Sequence, residues 1–212
     1  MPPCELCVEF LSRVCPFLSP PRNRFLFESD DFLVFPSLGS FVEGYLLVCP
    51  RSHKPSLAGL DGPSILRLGE LLDHTKRIVE AAYGSVIMFE HGMASCERRA
   101  GGCIDHAHLH IVPADIDLTT ILSQRFPSRQ LSDLSDLLRW EERPYLLFQK
   151  DDRRLVCDVP DNLPSQFIRR HIASALDLED RWDWGAYLGI AEMENTMQKL
   201  SKPFKQIGAN NR

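Results

Sequence analysis

Three histidines, His106, His108 and His110, occupy alternate positions in residues 103–112 (CIDHAHLHIV), a run that Pro113 closes. Alternation of this kind predicts a β-strand. Successive strand side chains point to opposite faces, so the three imidazoles share one face and Ala107, Leu109 and Ile111 share the other. The apolar face suits a core. A row of imidazoles does not, because burying them without partners costs free energy. Two chemistries account for such a row. Neutral imidazoles at alternate strand positions can converge on a metal ion such as zinc. In the other, one imidazole is a nucleophile whose neighbours orient it and handle protons. A histidine nitrogen attacking phosphorus gives a phosphoramidate, which divides one hard displacement into two easier ones and suits phosphoryl or nucleotidyl transfer.

The pattern around this strand is mixed. Residues 25–35 read as two short strands about an acidic turn at Ser29–Asp31, and residues 44–49 (GYLLVC) as a buried strand ended by Pro50. Asp61-Gly62-Pro63-Ser64 opens a helix whose Ile65, Leu68, Leu72 and Val79 recur at helical spacing, with Gly84 as the stop. Residues 85–89 (SVIMF) form another buried strand, and 92–102 a loop. Beyond Pro113, Leu131, Leu134, Leu137 and Leu138 lie at helical spacing. Residues 145–159 form a hairpin about a polar turn, Pro164-Ser165 opens a further helix, and a last short helix lies near 190–200, followed by a polar, frayed tail from Ser201. Strands and helices without regular βαβ alternation indicate an α+β fold.

The 212 residues carry a net charge of −5, which gives no general attraction for nucleic acid. No apolar run approaches the roughly 20 residues of a membrane span, and residues 1–20 lack the basic leader of a signal peptide. The seven cysteines, an odd number, are scattered through a chain too long to need staples, so a reducing compartment, the cytoplasm, is expected. Cys4-x-x-Cys7 is then the spacing of a metal or redox pair, and Cys49 and Cys157 are small core hydrophobes.

The segment His106-Ala107-His108-Leu109-His110-Ile111-Val112, with an apolar residue after each His, resembles the signature of the histidine-triad (HIT) superfamily of nucleotide hydrolases and transferases. Upstream, Val34–Ser37 and then Gly44-Tyr45-Leu46-Leu47-Val48-Cys49-Pro50-Arg51-Ser52-His53 are similar to the family's strand ending in a Pro–basic–x–His turn. The likeness covers about residues 4–115. It implies a HIT-like antiparallel sheet with packed helices as a catalytic domain over 1–115, and a C-terminal α/β extension over 116–212 on the same core. It also implies a nucleotide phosphohydrolase. His108 would be the nucleophile that cleaves the α-phosphate linkage of a nucleoside monophosphate conjugate, of the dinucleoside polyphosphate or phosphoramidate type. His110 would bind phosphate or assist the leaving group, and His106 completes the triad. Transferase members tend to carry Gln at the third position, so His110 tilts the chain toward hydrolysis. A nucleotidyltransferase or phosphorylase using the same histidine, and a non-catalytic nucleotide-binding module, are the alternatives.

Zinc-containing members use an N-terminal CxxC, the His of the Pro–basic turn and the first triad His. Here these are Cys4, Cys7, His53 and His106, a closed four-ligand set and hence a structural site, for which Cys15 and Cys103 are the spare thiols. Gly101-Gly102 precedes the triad where the family often carries Gly-Gln, but Cys103 stands in place of the polar residue. Ser95, Arg98 and Arg99 in the loop and Gly102 are candidate phosphate contacts, Arg being suited to bidentate binding. Ser37 lies where the family often has a ribose-binding Asn or Asp. Glu90 and His91 are candidates for ribose or phosphate, each equally readable as a loop edge; Arg169, Arg170 and His171 could face a phosphate, but read rather as the wet face of an amphipathic helix. The family's usual homodimer is left open, since the extension could block or replace it.

Overall fold

The computed structural model describes residues 4–95, 101–102 and 104–210. Eight strands form one antiparallel sheet: β1 (Phe27–Glu28), β2 (Phe32–Pro36), β3 (Leu46–Pro50), β4 (Val86–Gly92), β5 (Leu109–Pro113), β6 (Ser128–Leu131), β7 (Tyr145–Lys150) and β8 (Arg153–Asp158), in the spatial order β1-β2-β3-β5-β4-β7-β8-β6. The α+β antiparallel architecture expected from the sequence is present. The hairpin β7–β8 extends the sheet: β7 pairs with β4 from Ile87↔Lys150 to Gly92↔Tyr145, so β4 has β5 on one side and β7 on the other.

Helices cover both faces of the sheet. On one face lie α2 (Gly62–Tyr83), α5 (Ile190–Asn210) and a 3-10 helix at Leu134–Trp140, packed on Val34, Leu46, Val48, Met88, Leu109 and Ile111. On the other lie α1 (Glu5–Ser12), α3 (Thr119–Arg125) and α4 (Phe167–Ala175), packed on Leu33, Phe35, Leu47, Ile87, Phe89 and Val112. Burial on both faces explains why the central strands read as unbroken apolar runs (LLVC, VIMF, YLLF). It makes three layers around a shared sheet.

Local chemistry sets the element ends. Asp61 caps α2 by accepting from the Ser64 N–H at 2.7 Å, Pro63 stands in its first turn, and Gly84, at φ 89°, ends it. Three sequence expectations differ from the structure. The triad strand is regular only from Leu109, because the Ala107 N–H bonds the Lys54 carbonyl at 2.6 Å and so leaves the ladder. The leucines after 130 split between β6 and the 3-10 helix, whose Asp133–Asp136 capping box starts a tight turn rather than an α-helix. The last helix runs 21 residues, past Ser201 to Asn210, since Leu200 and Phe204, four apart, dock on the α2 core. Pro203 is accommodated within that helix.

Glu90 lies on the α2 face of β4, away from the triad. It is fully buried, accepts from the Leu57 N–H at 2.8 Å and from Tyr145 Oη at 2.5 Å, and burial pushes its carboxyl up to about 8. The folded chain thus holds a proton here that the unfolded chain releases above pH 4.5 or so. Stability is lost as pH rises from about 5 to about 8. Glu90→Gln is expected to flatten this slope and to stabilise the fold at pH 8 by a few kcal/mol, on the order of the shift itself. Urea unfolding of both proteins at pH 5, 6.5 and 8 checks it; parallel pH profiles would refute the assignment.

Candidate active site

The imidazole face of β5 and the segment leading into it form one wall of a cavity of about 390 Å³. That volume falls within the range of small-molecule sites, roughly 300–1,000 Å³. His108 and His110 line it, their ring centroids 4.7 Å apart, together with His91 from β4 and Gly101 and Gly102 from the loop. The opposite chemistry comes from α1 and the segment after it: Leu6, Val8, Val14 and Phe17 give an apolar wall, with Val8, Val14 and Phe17 partly exposed. The cavity therefore offers imidazoles and polar groups on one side and apolar surface on the other.

Each imidazole is held differently. His108 Nδ1–H donates to the His106 carbonyl at 2.6 Å, which leaves its Nε2 lone pair as the reactive position. His110 stacks on Phe89 at 4.2 Å and pairs through Nδ1 with Tyr45 Oη at 2.8 Å. His91 Nε2 accepts the Ile168 N–H at 3.1 Å, at the start of α4. Burial depresses the pKa of all three: His91 falls to about 3, His108 lies below 6.5 despite the opposing bond to the His106 carbonyl, and His110 lies well below. All three are neutral at pH 7, with unprotonated lone pairs.

His106 faces elsewhere. Its Nε2–H donates to the Pro50 carbonyl at 2.8 Å, which turns Nδ1 toward Cys4 Sγ at 3.6 Å and Cys7 Sγ at 3.4 Å. His53 Nδ1 is 3.5 Å from Cys7 Sγ, and the four ligand atoms all lie within 4.8 Å of one another. A tetrahedral zinc with bonds of about 2.0–2.3 Å has ligand–ligand edges of roughly 3.3–3.8 Å, and the three contacts at 3.4, 3.5 and 3.6 Å match that size. The Pro50 carbonyl is the outer hydrogen bond that metal-binding imidazoles commonly have. The Cys4, Cys7, His53 and His106 side chains fit a closed zinc site.

The model of the HIT domain matches residues 21–116. Over those residues the chain is similar to a HIT domain. A search of the curated proteins returns no match. Solved structures similar to the chain include a HIT family protein from Bacillus anthracis, 18% identical over 53% of this chain and 73% of that one, with a TM-score of 0.43. A Zn-bound histidine triad family protein from Mycobacterium smegmatis is 17% identical over 66% of this chain and 91% of that one, TM-score 0.42. A hypothetical histidine triad nucleotide-binding protein from Sulfolobus tokodaii gives the same identity, coverage and TM-score as the latter.

Within the matched residues, Ser37 is buried at the cavity wall with its hydroxyl on the Leu38 carbonyl at 2.7 Å. Ser95 is half-buried and is not among the residues that line the cavity. Arg98, Arg99 and Cys103 lie outside the described residues. Gly101, at φ 78°, lies against the start of α4: a side chain there would meet the Pro164 carbonyl at 2.7 Å, and its own carbonyl accepts the Gln166 N–H at 2.8 Å.

Tyr45, which holds His110 from behind the cavity wall, was not among the candidates drawn from the sequence; it lies on the same face of its strand run as Leu47, and that alternation was the available signal. Arg169, for which the wet-face reading was preferred over a phosphate-facing one, is 3% exposed and lines the cavity. The signal was its position three before Ile172 and four before Ala173, on the buried stripe of α4. The other buried guanidinium at the cavity, Arg24, is neutralised by Glu9 in a two-pronged pair at 2.7 Å and 2.7 Å.

Proposed function

We propose that the protein is a nucleotide phosphohydrolase that cleaves the α-phosphate linkage of a nucleoside monophosphate conjugate through a covalent nucleotidyl-His108 intermediate. The observation that carries this reading is the orientation of His108: Nδ1–H is committed to the His106 carbonyl, so a neutral Nε2 lone pair remains at the cavity. In the first step Nε2 attacks the α-phosphorus, the P–N bond forms, and the bond to the leaving group breaks. The leaving group takes up its proton from solvent, and His110, whose ring hydrogen sits on Nε2 when Tyr45 Oη donates to Nδ1, donates a hydrogen bond to the leaving atom. In the second step water attacks phosphorus, the P–N bond breaks, and the proton of that water returns to the site as the nucleoside monophosphate leaves. The apolar wall of Leu6, Val8, Val14 and Phe17 receives the base. Ser37 and Gly102 are the candidate sugar and phosphate contacts, with Ser95, Arg98 and Arg99 as further contacts from the loop.

Zinc at Cys4, Cys7, His53 and His106 would supply structural cross-linking. The same His106 that offers Nδ1 to the cluster offers its carbonyl to His108, so ligation fixes the reactive imidazole without touching substrate. Among the described residues no helix is long and apolar enough to cross a membrane, and the described cysteines, Cys4, Cys7, Cys15, Cys49 and Cys157, are free, which supports a reducing, cytoplasmic setting.

The test is a panel of nucleoside monophosphate conjugates with different bases and leaving groups, with products identified in ¹⁸O-labelled water and with inorganic phosphate or other acceptors added. Label in the released monophosphate supports hydrolysis. Incorporation of phosphate or another acceptor instead makes the chain a phosphorylase or transferase. Tight binding with no turnover of any conjugate overturns the enzymatic reading.

A further inference from the structure

Arg169 is a buried cation with no carboxylate paired to it among the described residues. Nε–H donates to the Gln166 side-chain oxygen at 3.1 Å and the Trp182 carbonyl at 2.9 Å, Nη1 to Tyr45 Oη at 2.8 Å, and Nη2 to the Gly39 carbonyl at 2.7 Å. Every one of these acceptors is neutral. The rings of Phe41 and Tyr45 lie under the guanidinium at 5.0 Å and 5.2 Å, and no carboxylate among the described residues pairs with it. Gly39 is shaped for this contact: at φ 74° it carries no side chain where one would run into Trp184, and a Cβ would come within 3.0 Å of the guanidinium.

Burying an unpaired charge is costly, and proteins ordinarily neutralise it, as Glu9 neutralises Arg24 in the same cavity. The bonds to Tyr45 and Gly39 use one hydrogen on each Nη. The second hydrogen on each is uncommitted among the described contacts, which leaves the two-pronged edge that matches a phosphate. The positive charge also reaches His91, His108 and His110, where it helps to hold the imidazoles neutral.

We infer that Arg169 is an anion-binding residue of the active site, and that the charge missing beside it is supplied by the substrate's phosphate. The segment after residue 116 would then complete the site rather than only cover it. This rests on the reading of the cavity as a phosphate site, and it gives that site the cation that the net charge of −5 withholds.

Inorganic phosphate is the probe, since its binding needs neither a base nor turnover. Titrated against the full chain at constant ionic strength, phosphate should raise the thermal midpoint of the wild type above that in matched chloride. Its affinity should fall at least about tenfold in Arg169→Gln and by less in Arg169→Lys. Lysine keeps the charge but cannot span the Tyr45, Gly39 and Trp182 oxygens, so a merely structural role would make the two variants equally poor. Equal losses in the two variants, or no loss in Arg169→Gln, would overturn the assignment. Should Arg169→Gln not fold, the wild-type comparison decides alone: no phosphate-specific stabilisation means no anion site. These outcomes are separate from the nucleophile reading, which fails only if turnover survives loss of His108.

Discussion

Replacing His108 with alanine is expected to lower turnover of the best nucleotide conjugate by roughly ten-thousandfold or more, the scale of losing a nucleophile that no neighbour can replace. The residue has a single reactive edge, Nε2, because the His106 carbonyl holds Nδ1–H at 2.6 Å. His110 does not substitute, because its Nδ1 is engaged by Tyr45 and its ring is stacked on Phe89. Its other neighbour in the cavity, His91, has Nε2 occupied by the Ile168 N–H. The loss should fall on kcat, with nucleotide affinity changed by no more than a few-fold, since Arg169, Ser37 and the α1 wall remain. Acid quenching with labelled substrate should trap nucleotide on the wild type and none on the variant. Label retained by His108→Ala, or full activity in it, would remove His108 from the mechanism. His110→Ala should slow release of poor leaving groups more than good ones, because the poor ones depend more on its hydrogen bond to the leaving atom.

The second large effect concerns the metal. Purified chain should hold about one zinc per molecule. Joint replacement of Cys4 and Cys7 by serine should abolish it and lower the thermal midpoint by roughly 10 °C, the consequence of several kcal/mol in a domain of this size. The four ligand atoms come from three places: the start of α1, the turn after β3 and the approach to β5. A metal there replaces three independent attachments with one. Without it, two thiols sit close together, and burial pushes the Cys7 thiol up to about 11, so Cys7 keeps its proton until a cation arrives. Because α1 also contributes Leu6 and Glu9 to the cavity, chelation should weaken nucleotide binding as well as stability. A wild type that folds with an unchanged midpoint and no metal would contradict this.

Much of this was legible along the chain because it is local. Period-two alternation marked the triad, and the Asp61-Gly62-Pro63-Ser64 start and Gly84 stop marked α2. Cys4, Cys7, His53 and His106 could be grouped only through the family resemblance, since nothing in their spacing says that residues about a hundred positions apart meet. The extension of α5 past Ser201 escaped notice because its Leu200 and Phe204 contacts lie on α2, far away in sequence. Glu90 and His91, adjacent and alike in polarity, separate because neighbouring strand residues face opposite sides of the sheet: one is stored beneath α2, the other enters the cavity.

By itself, then, the sequence determined the central strands, both ends of α2 and the imidazole row, since each depends on residues within a turn or a pleat of one another. Only the tertiary structure decided that His106 turns to the cysteines while His108 and His110 turn to the cavity, and that a helix from the C-terminal half carries Arg169 to Tyr45. The reason is physical. A buried charge or imidazole takes its role from the groups that surround it in space, and those groups are brought together by packing of the sheet and its two helical layers.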